Sequence, residues 1–206
     1  MAVLHIPEPN KKQKLFLAAT QKYIAYGGAR GGGKSWSVRT KASILANHYS
    51  GIRIMIMRRT YPELSANHIE ILKKELVPGF ARYNATEKQM TFRNGSVIKF
   101  MYCKNDADLD NIQGHEYDVI FVDEATNLTE KQLRAITACC RGVNDFPKHV
   151  YFTMNPGGPG HGFIKRLFID RRFNDRENPD EYTFIQALVD DNTALMEAQP
   201  DYVAQL

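Results

Sequence analysis

Apolar positions along this chain repeat with two different periods. Lys22-Tyr23-Ile24-Ala25-Tyr26 alternates with period two and predicts a strand, which breaks at the glycine-rich stretch Gly27 to Gly33. Trp36, Val38, Ile44 and Leu45 then predict a helix over Lys34 to His48. Ile52 to Met57 predicts a second strand. Pro62, suited to the first turn of a helix, opens a segment carried through Ile69, Leu72 and Leu76 and stopped near Pro78-Gly79. Gln89 to Phe92 and Val97 to Tyr102 flank Arg93-Asn94-Gly95-Ser96, and Asn-Gly between two such runs marks a hairpin inserted into the strand and helix alternation.

Alternation resumes at Asp118 to Asp123. Its centre, Val119-Ile120-Phe121-Val122, is continuously apolar, as expected of a parallel strand covered on both faces in the middle of a sheet. Asn127 or Thr129 caps a helix through Leu133, Ile136 and Ala138 with Glu130 in its first turn, and Lys148 to Thr153 predicts a further strand. Asn155-Pro156-Gly157-Gly158-Pro159-Gly160 ends that strand. A short helix around Phe163 to Phe168, a solvated charged stretch from Asp170 to Glu181 and a strand at Tyr182 to Ala187 follow, with no internal repeat.

Composition narrows the class. At 206 residues and 43% hydrophobic, the chain suits one α/β domain. It has no run of about 18 apolar residues and no signal-peptide pattern at its N-terminus, so it reads as intracellular. Lys and Arg exceed Asp and Glu by 27 to 23, and this scattered charge of +4 permits a nucleic-acid partner without demanding one. Cys103, Cys139 and Cys140 form no C-x-x-C pair and read as reduced thiols. Histidines 5, 48, 68, 115, 149 and 161 lack metal-ligand spacing and read as structural, and Trp36 with the other aromatics reads as core.

The chemistry concentrates in Gly28-Ala29-Arg30-Gly31-Gly32-Gly33-Lys34-Ser35, which matches G-x-x-x-x-G-K-S/T between a strand and a helix. The glycines let backbone N–H groups wrap a polyphosphate, the helix adds its dipole, the Lys34 ammonium reaches the β- and γ-phosphates, and the Ser35 hydroxyl ligates Mg²⁺. At the end of the apolar strand, Asp123 and Glu124 are expected to point to opposite sides. Asp123 then holds hydrated Mg²⁺ and Glu124 polarises a water for attack on the γ-phosphate. A carboxylate pair favours hydrolysis over transfer. Asn155, ending the next strand, is the candidate γ-phosphate sensor, with the Gly/Pro run after it as a hinge. Arg30 is either a second forked donor to the γ-phosphate or a solvated loop tip. Gln13 offers an amide to the edge of adenine. Arg58-Arg59 meets phosphate, a neighbouring subunit or DNA, or is simply solvated.

Gly27 to Ser35, Arg58 to Leu64, Gln113 to Thr126 and Thr153 to Asp170 together resemble the N-terminal ATPase domain of the phage terminase large subunit, from about Gln13 to the end of the chain. The resemblance implies a P-loop NTPase fold of the ASCE/RecA-like kind, α/β with a mostly parallel central β-sheet flanked by helices and an inserted β-hairpin. It implies ATP and Mg²⁺ as cofactors, with Lys34 and Ser35 in Walker A, Arg30 as the Walker A arginine, Asp123 as Walker B, Glu124 as the catalytic glutamate and Thr153 to Asn155 as the coupling motif. Gln13 falls on the adenine-reading glutamine. The implied activity is ATP hydrolysis coupled to translocation of double-stranded DNA into a procapsid. Implied partners are a portal protein, a small terminase subunit and further copies in a ring, in the host cytoplasm during virion assembly. Gln113 stands where many relatives carry an arginine acting on the neighbouring subunit's ATP. On this reading residues 1–188 are the ATPase domain and residues 189–206 begin a linker toward a nuclease domain. A helicase or recombinase-type P-loop motor and a nucleotide-gated assembly module with little turnover are the alternatives.

Overall fold

The computed structural model describes residues 6–29, 31–76, 78–192, 196, 199 and 201. In chain order its elements begin with α1 (Lys11–Ala18), β1 (Tyr23–Gly28), α2 (Lys34–His48) and β2 (Arg53–Arg58). A helix of three parts follows, α3 (Tyr61–Leu64), a π-helical turn (Ser65–Ile69) and α4 (Glu70–Glu75). Then come β3 (Ala81–Asn84), β4 (Gln89–Phe92), β5 (Val97–Tyr102), β6 (Val119–Val122), α5 (Glu130–Thr137), β7 (His149–Met154), α6 (His161–Ile164) and β8 (Tyr182–Ala187). One sheet contains all eight strands in the order β3-β4-β5-β2-β6-β7-β1-β8. Pairing is parallel from β5 through β8 and antiparallel among β3, β4 and β5.

Alternate residues of each central strand enter two cores. Ile54, Ile56, Val119, Phe121 and Tyr151 pack with Phe16, Val38, Leu64 and Leu72 on the face covered by α1, α2 and the α3–α4 helix. Met55, Met57, Ile120, Val122 and Phe152 pack with Leu133, Ile136, Ile164 and Phe168 on the face covered by α5 and α6. Every side chain of β6 is therefore inside, which is why its sequence shows no alternation. Each fully buried side chain of this size contributes about 1.5–3 kcal/mol in transfer free energy.

The predicted hairpin forms but is not a separate insertion. Its second strand, β5, pairs parallel with β2, Arg53 against Val97 through Arg58 against Tyr102, and β3 adds a third antiparallel strand that the pattern did not indicate. Helix α1 was equally unindicated; it starts on a reciprocal cap between Asn10 and Gln13. Thr129, not Asn127, caps α5. The stretch 170–181 is largely exposed, as expected, and is braced by Arg166, whose Nη1 and Nη2 each reach Glu177 at 2.8 Å. Among the described residues no helix is long and apolar enough to cross a membrane.

Parallel pairing has one consequence for function. Strands β1, β2, β6 and β7 finish at the same edge, with Gly27 beside Met154 and Met57 beside Val122, so the residues after them share one crevice.

Candidate active site

A cleft of about 660 Å³ opens at that edge, lined by Gly31 to Trp36, Arg58, Asp123, Glu124, Asn127 and Asn155 to Gly158. Its floor is the loop from β1 to α2. Gly27 lies so close to β7 that a Cβ there would sit 2.2 Å from the Met154 carbonyl oxygen, and Gly33, at φ 68°, turns the chain into α2. The Ala29 N–H donates to the Ala187 carbonyl at 3.0 Å and the Tyr26 hydroxyl to the Gly32 carbonyl at 3.3 Å, so β8 and β1 hold the loop from both sides. The Lys34 ammonium, 8% exposed, donates to the Ala29 carbonyl and to Asn155 Oδ1 at 2.8 Å. Burial lowers its pKa, against the raising fields of Asp123 and Glu124. Gly31, Gly32, Gly33, Lys34 and Ser35 line the cleft, Gly28 and Ala29 precede them at the end of β1, and Arg30 lies outside the described residues.

Asp123 is buried among donors. Its Oδ2 accepts from Arg58 Nε at 2.8 Å, His68 Nε2 at 2.8 Å and the Ser35 hydroxyl at 3.1 Å, and its Oδ1 accepts from the Thr153 hydroxyl. Burial alone would raise its pKa. The hydrogen bond and field of His68, then Arg58 and Thr153, outweigh burial and hold it well below the usual carboxylate range. The expected divergence of Asp123 and Glu124 does not occur. The strand ends at Val122, Glu124 takes a left-handed backbone at φ 56°, ψ 48°, and one guanidinium spans both acids, with Arg58 Nη2 at 3.0 Å from Glu124 Oε1. Non-glycine residues held in that region cost on the order of 1–3 kcal/mol and concentrate at functional sites. Here the Glu124 N–H donates to the Thr153 hydroxyl at 3.0 Å and Asn127 Nδ2 donates to Glu124 Oε2 at 3.0 Å, so strain and side chain are fixed together.

The Asn155 to Gly160 loop clasps the segment after Glu124. Thr126 donates its hydroxyl to the Asn155 carbonyl at 3.0 Å and the Gly160 N–H donates to the Thr126 carbonyl at 3.0 Å. A Cβ on Gly158 would lie 2.3 Å from the Thr126 carbonyl oxygen, so this approach is closed to any other residue. A second cavity of about 790 Å³ shares Gly33, Trp36 and Asn192 with the first and reaches Gln13. Gln13 spends its amide oxygen on the Asn10 N–H at 2.8 Å and turns Nε2 toward Gly33, leaving a donor rather than both halves of the amide for a base. Asn192 donates to the Gly31 carbonyl and Val189 is buried, so the chain is still part of this site beyond Leu188.

The structure sharpens three further expectations. His68, read as structural, is fully buried against Asp123. Arg58 is buried in the site while Arg59 is exposed, so the pair is divided between site and solvent. Trp36 belongs to neither core and is half-buried at the junction of the two cavities. Gln113 is exposed and outside the cleft lining. His68 and Arg58 were hidden because each meets Asp123 only through tertiary packing.

Among the described residues no group of three or more His, Cys, Asp or Glu could hold a metal ion. The donor set does suit Mg²⁺, which takes oxygen ligands, uses one or two from protein and keeps several waters. The Ser35 hydroxyl and the Asp123 carboxylate meet at 3.1 Å, which sets two oxygen donors side by side at the cleft.

Solved structures with the same fold place this arrangement in context. The large terminase of a thermophilic bacteriophage superposes with a TM-score of 0.73 at 20% identity, covering 95% of this chain and 50% of that one. The same thermophilic-phage protein in complex with ATP-γ-S gives 0.72, also at 20% identity, over 95% of this chain and 49% of that one. The large terminase ATPase domain of Thermus phage P74-26 gives 0.63 at 12% identity, over 97% of this chain and 89% of that domain. The chain thus spans about half the length of the first of these proteins. No match was found among curated proteins. A sequence family described as phage terminase large subunit matches residues 20–203, and the chain belongs to that family.

Proposed function

We propose that this chain is the ATP-hydrolysing part of a viral DNA-packaging motor, acting on Mg-ATP and coupling hydrolysis to movement of double-stranded DNA into a procapsid. The observation that carries the chemical half is the convergence of Lys34, Ser35, Asp123, Glu124 and Asn155 on one cleft beside a strand–loop–helix phosphate cradle. Family membership supports the mechanical half, with a portal protein, a small terminase subunit and further copies of the chain as partners in the host cytoplasm. The nuclease function belongs to the remaining half of such proteins. The ATPase unit extends through Asn192, since Asn192 bonds the phosphate loop at Gly31 and Val189 before it is buried.

Phosphates entering the cradle take the Lys34 ammonium from the Ala29 carbonyl and Asn155 Oδ1, freeing the Asn155 amide to meet the γ-phosphate. Asn155 shares its backbone with the clasp on Thr126, so its state is passed directly to the segment that shapes Glu124. Glu124 orients the attacking water. Arg58 and Asn127 each hold one of its oxygens, and release of either frees an acceptor for that water. Ser35 and Asp123 would hold hydrated Mg²⁺, which when bound would supply charge neutralisation to the phosphates. Arg30 and Gln13 keep the roles of γ-phosphate donor and adenine contact, the latter through Nε2 alone.

The test is Glu124→Gln. ATP binding is expected to persist while steady-state phosphate release falls by roughly two orders of magnitude or more, the range for a lost general base. Wild-type turnover by that variant would remove Glu124 from the reaction.

A further inference from the structure

We propose that His68 is the positioning residue of Asp123, keeping that carboxylate in place while its other donors are drawn into the reaction. The proposal rests on the reading of Asp123 as the acid that holds hydrated Mg²⁺. Among the described residues four side chains bond Asp123, and three have a second task. Arg58 also pairs with Glu124, the Thr153 hydroxyl also accepts the Glu124 N–H, and Ser35 is the cradle's own hydroxyl. Among the described residues the His68 side chain bonds nothing else: Nε2 lies 2.8 Å from Asp123 Oδ2, and Nδ1 is buried without a partner there. A carboxylate only accepts, so Nε2 carries the proton.

The backbone supports this role. His68 sits on the π-helical turn Ser65–Ile69, a geometry that interrupts α-helices frequently at functional sites, although a second such turn, Lys165–Ile169, lies outside this cleft. The turn is fastened to the helix that follows the phosphate loop, because Arg39 on α2 donates to the Asn67 carbonyl at 2.6 Å. Displacement of α2 therefore reaches His68 through one residue, and His68 reaches Asp123 through one hydrogen bond. Outer partners that orient metal ligands typically change metal affinity or activity by roughly 10- to 100-fold when removed.

The experiment compares His68→Gln, whose amide nitrogen can occupy the place of Nε2, with His68→Asn, whose shorter amide stops short of Oδ2, and His68→Phe, which fills the space without a donor. Two quantities are read: kcat for ATP hydrolysis, and the factor by which Mg²⁺ tightens ADP binding over binding in EDTA. Both should fall about tenfold or more in the Asn and Phe variants and stay within about threefold of wild type in the Gln variant. Binding of ADP in EDTA should change by less than about twofold throughout, since that term does not involve Asp123. Equal values for the Asn and Gln variants overturn the assignment even if the Phe variant does not fold, because the two amides share any loss caused by replacing the ring. Asp123→Asn and Glu124→Gln are run alongside. If Asp123→Asn keeps the Mg²⁺ effect, the reading of Asp123 fails and takes His68 with it; if both controls are impaired and His68→Asn is not, the His68 assignment alone fails.

Discussion

Replacing Asn155 with an aspartate should turn the resting contact of Lys34 into a competitor of nucleotide. The Asn155 oxygen already lies 2.8 Å from the ammonium, so Asn155→Asp puts a full negative charge there without moving an atom. At that distance Coulomb attraction is about 6 kcal/mol with an effective dielectric near 20, most of which is spent desolvating a half-exposed carboxylate. The net gain is close to the difference between a charged and a neutral hydrogen bond, about 1–2 kcal/mol. Repulsion between the introduced carboxylate and the incoming phosphate adds in the same direction. We expect ADP affinity to weaken roughly 5- to 30-fold. Asn155→Ala should leave ADP affinity unchanged or slightly tighter, because Lys34 loses a rival and keeps only the Ala29 carbonyl. Trp36, the chain's one tryptophan, borders the cleft and supplies a fluorescence signal for the titration. ADP affinity of the Asn155→Asp variant within about twofold of wild type would refute the competition, since the charge term alone exceeds that.

Other expectations follow from the same geometry. Gly160→Ala places a Cβ 2.3 Å from the Leu128 carbonyl oxygen and 3.2 Å from Leu133 Cδ1; thermal unfolding should show a loss of about 1–3 kcal/mol, and an unchanged midpoint would contradict the packing. Thr153→Val keeps the shape and removes both the donor to Asp123 and the acceptor for the Glu124 N–H. Denaturant unfolding should register about 1–3 kcal/mol, and a value near zero would mean water replaces the hydroxyl. Glu177, whose pKa falls from 4.5 to about 2 mainly through its hydrogen bond from Arg166, stabilises the fold fully above pH 4.5 and progressively less as pH drops toward 2. Thermal midpoints measured across that window should decline less steeply for Glu177→Gln; parallel curves would show that the pair contributes nothing.

The phosphate cradle was legible in the sequence because its chemistry imposes a local pattern: glycines for backbone approach, then Lys34 and Ser35 on the first turn of a helix. Val119 to Glu124 was legible for the same reason, a buried strand delivering acids to an edge. The direction of Glu124 was not, because strand alternation stops applying once a residue adopts φ 56°. Helix α1 carried a readable sign in Asn10 and Gln13, spaced as a capping box, although its low amphipathicity gave no periodic support. His68 lies four residues after Leu64 and four before Leu72, on the buried side of its helix, so its pattern is that of an ordinary core position. Only the packing of that helix against β2 and β5 reveals that the ring meets Asp123.

Strand β1, which carries the phosphate loop, takes both of its neighbours from far downstream, β7 at His149–Met154 and β8 at Tyr182–Ala187. Emerging from the ribosome, it has no sheet partner until His149–Met154 has been made, whereas β2 finds β5 much earlier. Pairings of such long sequence separation close slowly. The nucleotide pocket therefore assembles after β2 and β5 have paired, and a nascent chain completes it only once Ala187 is free to receive the Ala29 N–H.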